Sequence, residues 1–70
     1  MKKIYEDDRG FRYRVEAGIG GQVFKARFIK PGKTTGHCVR MLPWRDSFDA
    51  AQKDLNLYAE RKGMREVSNE

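Results

Sequence analysis

The stretch "RGFRYRVEAGIGGQVFKARFI", residues 9–29, decides how this 70-residue chain folds. From Phe11 the side chains alternate, with Phe11, Tyr13, Val15 and Ala17 on one side and Arg12, Arg14 and Glu16 on the other. That period of two marks a half-buried strand. Gly18, Gly20 and Gly21 interrupt it and supply the positive φ values that a tight hairpin needs, so residues 22–29 turn back beside the first strand. Placing Ala17 opposite Gln22 sets Val15 against Phe24, Tyr13 against Ala26 and Phe11 against Phe28, which makes one face apolar. On the other face Arg14 then meets Lys25 and Arg12 meets Arg27. Like charges directly across a ladder are destabilising, and an anionic partner is the expected counterweight.

Charge distribution extends this reading. The chain carries 15 Lys and Arg against 10 Asp and Glu, a net charge of +5. Residues 9–45 hold nine of those cations (Arg9, Arg12, Arg14, Lys25, Arg27, Lys30, Lys33, Arg40 and Arg45) and a single acid, Glu16. The two ends are mildly acidic. Such an asymmetry suits a surface that faces a polyanion.

Outward from the hairpin, residues 1–8 read as a polar lead-in. Residues 30–36, with Pro31, Gly32 and Gly36, form a loop carrying Lys30 and Lys33. Residues 37–42 form a third strand, with Val39 opposite Ala26, Met41 opposite Phe24 and Arg40 opposite Lys25. This pairing creates a basic row of Arg14, Lys25 and Arg40. Pro43 ends the strand. Ser47 is a good N-cap for a helix over residues 48–62, which Gly63 stops, with Phe48, Ala51, Leu55, Tyr58 and Ala59 as its buried stripe and Gln52 and Asn56 on its polar face. Residues 64–70 read as a flexible tail. The expected fold class is α+β, a single domain over residues 9–63 in which a three-stranded antiparallel sheet packs against one C-terminal helix.

The sequence offers no catalytic constellation, so no enzyme activity, small-molecule substrate or cofactor is expected. His37 has no nucleophile or orienting acid at a suggestive spacing, and one Cys and one His cannot build a four-ligand zinc site. With no apolar run of membrane-spanning length and no secretory leader, the expected location is cytoplasmic.

The segments "RGFRYR" (residues 9–14), "FKARF" (24–28) and "SFDAAQKDLNLYA" (47–59) resemble the three-stranded DNA-binding domain of plant ethylene-response factors, a fold shared with the N-terminal arm-binding domains of phage and transposon tyrosine recombinases. Through that resemblance Arg9, Gly10, Arg12 and Arg14 match an R-G-V-R-x-R strand whose arginines contact bases and phosphates, while Ala51 and Leu55 match helix contacts to the sheet. The tryptophan of that family's first hairpin is missing, Arg27 stands where it has an acid, and its W-L-G stretch is here "MLPW", so base specificity does not transfer. The resemblance implies an integrase-like N-terminal DNA-binding module, as in a small phage or prophage regulator or a fragment of a larger protein. It would lay its sheet in the major groove of duplex DNA, with Arg12, Arg14, Lys25, Arg27 and Arg40 on bases or phosphates and Arg9, Lys30, Lys33 and Arg45 on flanking backbone. RNA and an acidic protein are the alternative partners. RNA is disfavoured because the aromatic residues that could stack on bases point inward in this register.

Overall fold

The computed structural model describes residues 2–69. Strands β1 (Lys3–Glu6), β2 (Arg12–Ala17), β3 (Phe24–Ile29) and β4 (Gly36–Cys38) precede helix α1 (Phe48–Lys62), and β5 (Arg65–Asn69) follows it. All neighbours in the sheet are antiparallel, in the order β4-β3-β2-β1-β5. The α+β class and the single helix agree with the sequence reading, but the sheet has five strands where three were expected. The extra two come from the segments read as lead-in and tail, apart from Met1 and Glu70, which lie outside the described residues.

Alternation determined the faces correctly, whereas the hairpin register differs from expectation by two residues. Ala17 pairs with Phe24, Val15 with Ala26 and Tyr13 with Phe28, so the connection spans residues 18–23. Gly18 N–H donates to the Val23 carbonyl at 2.7 Å, and Gly20 and Gly21 adopt φ of 88° and 71°. A shift of two leaves every side chain on its intended face, which is why the apolar pattern alone cannot detect it.

The expected third strand stops early. Val39 still donates to the Ala26 carbonyl, but the chain then turns, with Leu42 N–H bonded to the Val39 carbonyl. Phe24 pairs instead with Arg45, exchanging both backbone hydrogen bonds at 2.7 and 2.8 Å. Met41, expected inward, is 70% exposed.

Helix α1 begins and ends as its caps dictate. The Ser47 hydroxyl accepts from Ala50 N–H at 3.1 Å, and Gly63, at φ 70°, donates to the carbonyls of Ala59 and Glu60. Its alanines at 51 and 59 let it lie close on Tyr13, Val15 and Ala26, and Leu55, fully buried, fills the centre with Val15. Burying one such leucine contributes about 2–3 kcal/mol. Gln52, expected on the polar face, is buried: its amide oxygen accepts from Lys3 N–H at 3.2 Å, and its nitrogen reaches Asn56 Oδ1 at 3.0 Å. Asn56 in turn accepts from the Tyr5 hydroxyl at 2.7 Å. These two amides satisfy polar groups of β1, a strand absent from the sequence reading.

Candidate nucleic-acid interface

The face of the sheet away from α1 is built by the residues that alternate with the core. Arg12, Arg14 and Glu16 come from β2, Lys25, Arg27 and Ile29 from β3, Ile4 and Glu6 from β1, and Cys38 from β4. In the observed register Arg14 lies opposite Arg27, and Lys25 lies opposite Glu16. The expected row of Arg14, Lys25 and Arg40 therefore does not form.

The arginine pair is held together by one carboxylate. Glu16 Oε2 accepts from Arg14 Nε at 2.6 Å, and its other oxygen lies 3.8 Å from Arg27 Nε. That Arg27 nitrogen is buried and makes no hydrogen bond, while Arg27 Nη2 donates to the Gly36 carbonyl at 2.7 Å. The Arg27 side chain crosses β4 at Gly36, where an added Cβ would sit 3.4 Å from its Nε. Glu6 plays a similar part further along, accepting from Arg12 Nε at 3.1 Å and from Arg65. Those two guanidinium groups, Arg65 first, hold the Glu6 carboxyl below the usual carboxylate range.

The remaining cations divide between the rim and the opposite side. The Lys25 ammonium sits 5.5 Å from the Trp44 ring centroid, and Trp44 packs on Gly18, where a Cβ would approach the indole to 2.8 Å. Lys30 and Lys33 are exposed on the loop between β3 and β4, beside a shallow hollow of about 530 Å³ that also borders Arg12 and Arg14. Arg9, Arg40 and Arg45 are not on this face. Arg9 is tied to Asp7 at 3.1 Å, Arg40 is exposed in the turn after β4, and Arg45 forms a two-pronged pair with Asp54 of α1 at 2.8 and 3.2 Å.

Of the nine basic residues singled out from the sequence, the fold thus brings Arg12, Arg14, Lys25 and Arg27 onto one face, with Lys30 and Lys33 at its edge. Sequence reasoning missed Glu6 and Arg65, because it had no strand there to carry them. A hairpin signal was nevertheless present in "EDDRG", residues 6–10: Asp7 folds the turn by accepting from the backbone N–H of Arg9 and of Phe11, both at 2.9 Å, and Gly10 takes φ 86°. Burial raises the Asp7 carboxyl pKa, but the donors from Phe11, Tyr13 and Arg9 outweigh it and hold the group below its ordinary value.

Chemically, the face offers fixed and mobile cationic donors matched to phosphate or carboxylate acceptors. Among the described residues no group of His, Cys, Asp and Glu is placed to hold a metal ion, and no helix is long and apolar enough to cross a membrane. Comparison with protein-family profiles, with curated proteins and with solved structures finds no match in any of the three, so the resemblance to the ethylene-response and recombinase domains stands on its quoted residues alone.

Proposed function

We propose that this protein is a duplex-DNA-binding module that applies the open face of its sheet to the major groove. The observation carrying this reading is the display of Arg12, Arg14, Lys25 and Arg27 from two central strands, on the one sheet face that α1 leaves uncovered. The B-DNA major groove admits two adjacent strands, and β2 and β3 are the pair that carries these four cations. Arg12, whose side chain is 64% exposed, and Lys25, Lys30 and Lys33 take phosphates. Arg14 and Arg27, held in place by Glu16, are pre-positioned for guanine edges, because a fixed guanidinium loses little entropy on binding. An acidic protein surface is the alternative partner for the same cations.

Titration of the protein with a duplex of mixed sequence, followed by backbone amide NMR, tests the reading. Shifts should centre on residues 12, 14, 25, 27, 30 and 33. Neutralising either Lys30 or Lys33 should flatten the salt dependence of binding by about one unit of slope. Shifts centred on the outer face of α1, or no retention on DNA at low salt, would remove the proposal.

A further inference from the structure

We infer that the protein carries a second site, on the α1 side of the sheet, that binds a nucleotide unit by stacking its base and holding its phosphate. Helix α1 packs chiefly on β2 and β3, and beyond Tyr58 it leaves the aromatic side chains near β4 partly uncovered. There a groove of about 880 Å³ opens, within the range of small-ligand sites. Its floor is a run of rings. Phe11 and Phe28 lie 5.8 Å apart and 9° from parallel, and the exposed His37 ring lies 5.5 Å from Phe28.

The rim is cationic. The Arg9 guanidinium covers the Phe11 ring at 4.3 Å, and Lys30 and Arg40 border the same groove without an ion pair among the described residues. Asp7, which pairs with Arg9 of this rim, is already occupied by that guanidinium, the Tyr13 hydroxyl and two backbone N–H groups. An exposed ring, His37, at the end of a partly covered aromatic run and beside unpaired cations matches a ligand that is flat and apolar at one end and anionic at the other. A nucleotide has that form. A base stacked on the exposed His37 ring, which Phe28 backs, places the phosphate toward Lys30 and Arg40 on the rim. The rings lie on the opposite side of the sheet from the duplex-binding face and the two sites share only Lys30, so His37 and Phe28 test this site separately from that reading.

The same nucleotide chemistry can come from a single strand or from a free nucleotide, and the test separates them. The full chain is titrated with (dT)10, with dTMP, with a ten-base-pair duplex and with decaglutamate, while the ring resonances of Phe28 and His37 are followed. (dT)10 should move both rings, and His37→Ala and Phe28→Leu should each weaken (dT)10 binding about five-fold or more while leaving duplex affinity unchanged. Equal ring shifts with dTMP identify a free nucleotide as the ligand, and shifts with the strand alone identify single-stranded nucleic acid; both support the site. His37 is exposed, so its variant remains decisive should Phe28→Leu fail to fold. Shifts confined to residues 12, 14 and 25, decaglutamate moving the rings as strongly as (dT)10, or an unaltered affinity in His37→Ala would overturn the inference.

Discussion

Between β2 and β3, Tyr13 meets Phe28 and Val15 meets Ala26 beneath α1, whereas between β1 and β5 the side chains that meet are Lys3 with Glu66 and Glu6 with Arg65. The middle of the sheet is held by surface hidden from water. Its flank is held by exposed ion pairs and by the amides of Gln52 and Asn56. The two regions should therefore answer to different perturbations: packing defects destroy the first, while pH and salt reach the second. The flank also contains a bulge, where the pairing steps from Ile4 with Ser68 to Tyr5 with Glu66 and leaves Val67 over.

The largest expected effect breaks the middle. Leu55→Ala should cost about 3 kcal/mol by lost burial and cavity formation, a large share of what a domain this size has. Thermal denaturation followed by circular dichroism would show it, with sheet and helix signals lost together. A drop below about 1 kcal/mol would mean that the core rearranges around the gap.

A smaller change separates flank from middle. Asp7→Asn removes the charged acceptor at the β1–β2 turn and should cost about 1 kcal/mol. The sign with pH follows from the depressed Asp7 pKa: the carboxylate's stabilisation is fully present above the unfolded value near 4 and is lost as pH falls through the lower folded value. The wild-type protein should thus lose stability between about pH 4 and the folded pKa, while the variant should be flatter there. Hydrogen exchange should show Ile4 and Tyr5 opening before Val15 and Ala26. Simultaneous opening would make flank and middle one unit.

The smallest effect tests the register itself. Lys25→Thr removes the cation whose cross-strand neighbour is Glu16, together with its contact with Trp44, so the protein should become less stable by a few tenths of a kcal/mol. In the register expected from the sequence Lys25 sits between two arginines, and the same change would stabilise. Denaturant midpoints at low and moderate salt distinguish the two signs.

The same contrast explains what could be read in advance. The helix and both its caps were legible, because Ser47, Gly63 and the spacing of Ala51, Leu55 and Ala59 all act locally. The inward faces of β2 and β3 were legible from alternation. Register was not, since apolar residues on both strands tolerate a slip of two, and only the glycine conformations and the Phe24–Arg45 bridge choose between the alternatives. Strands β1 and β5 escaped notice because each buries little of its own: "KIYE" has one buried residue and "REVSN" none. Of the candidate site, the grouping of Arg12, Arg14, Lys25 and Arg27 on one face was visible. The pairing of Arg12 with Glu6 required the missing strand, and that of Arg27 with Glu16 the correct register.

The pairing of Lys3 with Asn69 bears on how the chain folds in time. These residues are almost a whole chain length apart in sequence, so the β1–β5 ladder is the contact with the greatest loop-closure cost, and it gains little apolar burial in return. Strands β2 and β3 with α1 can collapse first, and the last strand then closes the sheet onto the first. A covalent link between residues 3 and 69 would remove most of that closure cost, speeding the final step and making the most easily opened edge of the sheet one of its more persistent parts.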